Sequence, residues 1–273
     1  MIKMFAIDLD GTMYTTQRTI SKPVHKAIST ARQNGIQPVI VTGRGRRGAE
    51  IALDSLEMDL PYICSAGALV RPGITGQAIH AWTFHVFEEL LPVIDFARRN
   101  EIGLIGEPDQ SNSYWYGPDS MNEIMDPLTI KEAQKSIRSL DPDKDFNRPM
   151  LKITITAPAE LLVEAEKLVR MKCPSLHQVY AGVHYIDLTA NGVNKGTALQ
   201  ALAEFFGLQS DQVAAIGDQD IDVKMLKYAG LPIAMANAVP AVHQAAKWTA
   251  PSNDEDGVAW AIDQILMTNQ QNH

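Results

Sequence analysis

The apolar positions of this 273-residue chain fall into short runs separated by amphipathic stretches, and their order predicts the architecture. Met4 to Ile7, with Leu9 just beyond, reads as a buried strand. Ser21 before Lys22-Pro23 starts a helix whose Val24, Ala27, Ile28 and Ala31 recur at helical spacing, and Asn34-Gly35 ends it. Ile36 to Val41 is a second strand, Arg46 to Leu56 a helix and Pro61 to Ser65 a third strand. Uniformly apolar strands alternating with helices predict a parallel sheet with right-handed crossovers.

The rhythm then changes. Arg71-Pro72-Gly73 and Gly76 make a turn-rich connection, followed by an amphipathic helix from Phe87 to Asn100. Gly103 to about Leu140 reads as irregular, apart from a strand at Tyr114-Trp115-Tyr116. Met150 to Ala157 alternates as a strand with one wetter face, Glu160 to Met171 is helical, and Val179 to Leu188 holds strand-like pieces. After Asn194-Lys195-Gly196 the first rhythm resumes. It gives a helix from Thr197 to Phe206, a strand from Val213 to Ile216, and a helix from about Ile221 to Tyr228. A strand from Leu231 to Met235, a helix from Val239 to Ala246, Trp248-Thr249 and a closing helix from Asp256 to Met267 complete it. The expected fold is α/β: a doubly wound, Rossmann-like parallel-sheet core from 1–82 and 189–273, interrupted by an α+β module at 83–188.

Composition mostly excludes. A net charge of −8 argues against a chain held to nucleic acid by its overall field. No apolar run approaches membrane-spanning length and the N-terminus lacks a signal-peptide layout, so no membrane partner and a cytoplasmic location are expected. Cys64 and Cys173 lie in apolar surroundings and read as core thiols.

Candidate chemistry sits at strand ends. Asp8 and Asp10 alternate at the end of the first strand and so project to the same side. Either a divalent cation, Mg²⁺ for an all-oxygen site, relieves their repulsion, or one of them bends the chain before Gly11. Thr42-Gly43, Lys195, and Asp218 with Asp222 also fall at strand ends or helix starts, which a parallel sheet gathers along one edge. Carboxylates, one lysine and one hydroxyl suit phosphoryl transfer. Gly43-Arg44-Gly45-Arg46-Arg47-Gly48 matches a dinucleotide fingerprint, but Cys64-Ser65-Ala66 stands where its acidic partner belongs, so phosphate binding at the helix start is the better reading. Tyr114-Trp115-Tyr116 and the scattered histidines read as structural, and Asp254-Glu255-Asp256 as a cap on the final helix.

Asp-Leu-Asp-Gly-Thr, Val-Thr-Gly-Arg, Asn-Lys-Gly and Gly-Asp-Gln-Asp-Ile-Asp, in that order, resemble the four motifs of the haloacid dehalogenase (HAD) superfamily of phosphohydrolases. The inserted block resembles the class IIB cap of its Cof-type branch, as do Pro-Ile-Ala-Met-Ala-Asn-Ala and Ser-Asn-Asp-Glu-Asp-Gly-Val near the C-terminus. The resemblance implies a Mg²⁺-dependent phosphomonoesterase acting on small phosphorylated metabolites, such as sugar phosphates or phosphorylated cofactors. It casts Asp8 as the nucleophile that forms an aspartyl-phosphate and Asp10 as the general acid and base. Mg²⁺ would be held by Asp8, the Asp10 carbonyl and Asp218, with Asp222 orienting them. Thr42, Gly43, Arg44 and Lys195 would hold the phosphoryl group, supported by Asn237. Two positions depart from the branch: Ile221 and Ala66 stand where asparagine is usual. A phosphomutase of the same fold and a weakly catalytic binding module are the alternatives; an acceptor requirement would mark the first, ligand binding without turnover the second.

Overall fold

A computed structural model describes residues 1–109, 113–117, 138–139 and 141–271. The chain divides into two compact units, one of 1–42, 49–80 and 194–273, the other of 43–48 and 81–193.

The first unit holds an eight-stranded sheet in the order β14-β13-β12-β1-β2-β3-β4-β5. Its strands are β1 (Met4–Asp8), β2 (Gln37–Val41), β3 (Tyr62–Cys64), β4 (Leu69–Arg71), β5 (His80–Ala81, its second residue belonging to the second unit), β12 (Val213–Gly217), β13 (Leu231–Met235) and β14 (Trp248–Ala250). From β14 to β3 all neighbours pair parallel; β4 returns antiparallel on β3. Every residue of β1 and β12 is buried, as strands covered on both faces require. The helices are α1 (Lys22–Gln33), α2 (Arg46–Leu56, its first three residues counted with the second unit), α6 (Lys195–Phe205), α7 (Val223–Tyr228), α8 (Pro240–Ala245) and α9 (Gly257–Gln271). From β1 the chain winds outward through β2 and β3, then returns to β12 on the other side of β1 and winds the opposite way. The carboxyl ends of β1 and β12 therefore flank the switch point where open α/β sheets bind ligands.

The second unit is built on a six-stranded sheet, β10-β11-β9-β6-β7-β8. Its strands are β6 (Gly103–Pro108), β7 (Tyr114–Tyr116), β8 (Arg138–Ser139), β9 (Met150–Thr156), β10 (Leu176–Gly182) and β11 (Tyr185–Ala190), antiparallel except for β7 with β8. Its helices are α3 (Phe87–Asn100), α4 (Pro142–Asp145) and α5 (Ala159–Lys172). Ile153 and Ile155 of β9, Ile186 and Leu188 of β11, and Leu104 of β6 form an apolar core with Leu90, Val93, Ile94, Leu162, Ala165 and Val169 of α3 and α5. No described helix is long and apolar enough to cross a membrane.

Three expectations need correction. Gly103–Pro108 is an interior strand and Arg138–Ser139 an edge strand, not irregular chain, while 110–112, 118–137 and 140 lie outside the described residues. The glycines of β6 hid it, yet a side chain on Gly103 would strike the Trp115 ring and one on Gly106 the Phe146 ring. The helix expected from Thr197 begins at Lys195, because the Asn194 carboxamide oxygen accepts from the Gly196 and Thr197 amides at 2.9 and 3.1 Å. The acidic run before α9 does not cap it. Asp254 accepts from the Thr16 amide and hydroxyl, Glu255 from Ser252, and Asp256, at φ 58°, from the Ser21 hydroxyl. Asp254 and Asp256 tie the 14–21 loop down instead.

Candidate active site

The site grows from the end of β1. Asp8 is the last residue of that strand and is 5% exposed, whereas Asp10 is exposed. Between them the chain leaves the sheet and turns at Gly11, φ 78°, where the Tyr14 amide donates back to the Leu9 carbonyl. A Cβ on Gly11 would also lie 2.9 Å from the carboxylate carbon of Asp218. Glycine is demanded here by dihedral and by space. Gly11→Ala is therefore expected to cost about 1–2 kcal/mol for the left-handed backbone alone. By displacing Asp218 it should also weaken the affinity of the carboxylate cluster for a divalent cation roughly 10–100-fold, read by calorimetric titration with Mg²⁺ as the probe beside a thermal melt. Native affinity in the variant would contradict this.

Lys195 is the hub. It lies in the first turn of α6, 1% exposed, and its ammonium donates to Asp8 Oδ1 at 2.5 Å and to Asp222 Oδ1 at 2.6 Å. Burial alone would lower its pKa, but Asp222 and Asp8 outweigh burial and raise it. Asp222 is fully buried, and its other oxygen accepts from the Asp218 and Gln219 amides at 3.1 and 3.0 Å. Asp218, just past β12, accepts from the Thr12 hydroxyl and the Gln219 carboxamide, both at 2.9 Å. Burial and the Asp222 charge push its carboxyl up to about 6. Asp8 is raised well above the ordinary carboxylate range, first by burial and then by Asp222, with Lys195 opposing.

One oxygen each from Asp8, Asp218 and Asp222 can be chosen within 4.8 Å of one another. Three buried carboxylates thus face one ammonium, and two of them hold protons more tightly than they would in water. An all-oxygen, net-negative set of this kind fits a hard divalent cation.

The structure brings Asp8, Lys195, Asp218 and Asp222 together, with Asp10 near enough for its charge to act on Asp8. Thr42 is fully buried just beyond β2, its amide donating to the Ile63 carbonyl at 2.9 Å. Gly43 follows it directly and, with Arg44, is counted in the second unit. Asn237 commits its carboxamide to backbone: it donates to the Gly11 carbonyl at 2.8 Å and accepts from the Asn253 amide at 3.1 Å. Asn253 in turn donates to the Tyr14 carbonyl at 2.9 Å. These two asparagines brace the loop that carries Asp10. Thr12, Gln219 and Asn253 have no role assigned from the sequence, although all three stand inside the quoted segments. Ile221 lies in the turn Asp220–Asp222, and Ala66 holds φ 56°, a left-handed conformation that asparagine adopts more readily than alanine.

Comparison with known proteins adds a family. The model of haloacid dehalogenase-like hydrolases matches residues 5–262. Among curated relatives, the 5-amino-6-(5-phospho-D-ribitylamino)uracil phosphatase YwtE of Bacillus subtilis is 28% identical, over 97% of this chain and 98% of its own. The same organism's phosphatase YcsE, named for the same substrate, is 29% identical over 96% and 94%. The crystal structure of a haloacid dehalogenase-like hydrolase from Bacteroides thetaiotaomicron superposes with a TM-score of 0.84 at 27% identity, covering 97% of this chain and all of that one.

Proposed function

The chain belongs to the haloacid dehalogenase-like hydrolases and is a phosphatase, and from that premise we propose that it hydrolyses small phosphorylated metabolites through an aspartyl-phosphate on Asp8, with Mg²⁺ bound. The observation that carries the reading is the Lys195 ammonium lying between Asp8 and Asp222 with Asp218 beside them, at the switch point of the sheet.

Each residue then has a task. Lys195 holds one Asp8 oxygen, and the other attacks phosphorus. Asp10, exposed two residues on, protonates the leaving oxygen and afterwards takes a proton from the attacking water. Thr42, the Gly43 amide, Arg44 and Lys195 hold the phosphoryl oxygens, and Asn237 steadies the Asp10 loop from below. Asp8, the Asp10 carbonyl and Asp218 would hold Mg²⁺, with Asp222 fixing Asp218 through its amide. The cation, when bound, neutralises charge on the equatorial oxygens. Residues 1–82 and 189–273 form the catalytic core and 83–188 the module that selects the leaving group. Sugar phosphates and phosphorylated cofactors are the substrate class, in keeping with the phosphorylated ribityl compound for which both relatives are named.

Phosphate release from a broad panel of phosphorylated metabolites, with Mg²⁺ and with chelator, tests this. Metal-dependent release from some members is expected, with water as the acceptor. Product formation only with a second hydroxyl compound would mark a phosphomutase instead, and no release from any ester would leave a binding module.

A further inference from the structure

The second unit contains a buried charged row that neither its apolar core nor the reaction above employs. Register places Glu107 of β6 opposite Lys152 of β9, and Thr154 of β9 opposite Asp187 of β11. Strand alternation sends Ile153, Ile155, Ile186 and Leu188 to the helix-covered face, so the charged residues occupy the other. They are nevertheless buried: side-chain exposure is 6% for Lys152, 9% for Glu107 and 3% for Asp187.

An ammonium has three protons to place, and Lys152 has three acceptors. Glu107 Oε1 and Asp187 Oδ2 each lie 3.3 Å from its nitrogen, and the Gly43 carbonyl accepts at 2.7 Å. Asp187 is fixed from its other oxygen by the Thr154 hydroxyl at 2.6 Å. Burial would lower the lysine's pKa, but Asp187 and Glu107 outweigh burial and keep it charged. Buried ion pairs are seldom better for stability than apolar residues of equal volume. A row of this kind is better explained by a geometric task, and Gly43 shows where that task lies. A second contact points the same way, since a Cβ on Gly45 would lie 2.9 Å from the Glu107 carboxylate. Segment 43–48 accordingly clusters with this unit, although it springs directly from Thr42.

We propose that Lys152, held by Glu107 and Asp187, is a positioning residue that anchors segment 43–48 and sets the Gly43–Arg44 peptide for a bound phosphoryl group. The peptide is planar, so fixing the Gly43 oxygen fixes the direction of the Arg44 N–H on its far side. A cation on that oxygen also strengthens the same N–H as a donor. The proposal rests on the reading that Thr42, Gly43 and Arg44 hold phosphate.

Lys152→Met alone would leave two buried carboxylates without their cation and endanger folding, so the main variant carries Glu107→Gln, Lys152→Met and Asp187→Asn together. Gly45→Ala, which keeps every charge but pushes on Glu107, is the second route. Both are expected to melt cooperatively. KM for p-nitrophenyl phosphate with Mg²⁺, and the Kd for inorganic phosphate, should rise about 10–100-fold, with kcat changing far less. Amide hydrogen exchange at Arg44 and Gly45 should quicken in the triple variant. A folded triple variant with native KM and native phosphate affinity would overturn the proposal. Should the native protein neither bind nor release phosphate, the functional reading falls instead. Exchange then decides the anchor by itself: faster in the triple variant if Lys152 holds the segment, unchanged if it does not.

Discussion

Asp8→Asn is expected to abolish phosphate release and, in chelator, to raise the melting temperature. Under the proposed mechanism the loss of activity follows from removing the attacking oxygen, for which a fall of at least about 10⁴-fold is the common scale. The gain in stability follows from the surroundings of the carboxylate. Asp8 is buried beside Asp222, Asp218 and Asp10, and its ionised form is disfavoured despite Lys195. Asparagine keeps an oxygen for the Lys195 ammonium and removes the charge. Each 1 kcal/mol of relief adds roughly 2–4 °C in a chain of this size.

The same shift sets a pH dependence. Asp8 and Asp218 both have folded pKa values above the ordinary 3.8, Asp218 at about 6. Folded protein therefore binds their protons more tightly than unfolded chain does. Their contribution is fully present below the unfolded pKa and is lost as pH rises through the folded values. In chelator the native protein should lose stability between about pH 4 and pH 6 and beyond, more steeply than Asp8→Asn. Melting curves across that range, with release assays beside them, check both halves. A variant that melts below native protein at pH 7.5 would refute the electrostatic account, whatever its activity.

Lys195→Met should act in the opposite sense on stability while also slowing catalysis. Native Lys195 is the cation shared by Asp8 and Asp222. Removing one partner from a buried ion pair costs about 3–5 kcal/mol, because the remaining charge stays uncompensated. The melting temperature should fall by roughly 6–20 °C. Turnover should drop about 10²–10³-fold through lost stabilisation of transferring charge. Two additions should rescue the fold without restoring the rate: acid, which protonates the stranded Asp8, and, on the proposed metal site, Mg²⁺ binding to folded chain in preference to unfolded. Melting within 2 °C or so of native protein at neutral pH would mean that the three carboxylates are already relieved by some other group.

The parallel core was legible in the sequence because its information is local. Met4 to Ile7 and Val213 to Ile216 are apolar throughout, which only a strand covered on both faces requires. Asp8, Lys195, Asp218 and Asp222 were legible because strand ends of a parallel sheet share one edge, so distance along the chain did not matter. What escaped depends on contacts that no spacing encodes. Gly103 and Gly106 spoil the strand pattern of β6 and make sense only under Trp115 and Phe146. Thr12 and Gln219 look like turn residues until both are seen on Asp218. Asp254, Glu255 and Asp256 sit where a helix cap belongs, but the 14–21 loop, more than two hundred residues earlier, takes two of them.

The sheet order also governs when the site can exist. β1 carries Asp8 at its end, yet one of its two neighbours, β12, lies about 200 residues further along the chain, Ala6 pairing with Ala215. Closing a loop of about 200 residues is an entropic debt that local contacts cannot settle early. During synthesis the second unit, apart from its 43–48 segment, leaves the ribosome whole while β1 still waits for half of its hydrogen bonds. The three carboxylates and Lys195 can therefore meet only once the chain has been made as far as Asp222. Chains cut short before Val213 carry Asp8 and Lys195 but lack Asp218 and Asp222, so they cannot assemble the three-carboxylate cluster.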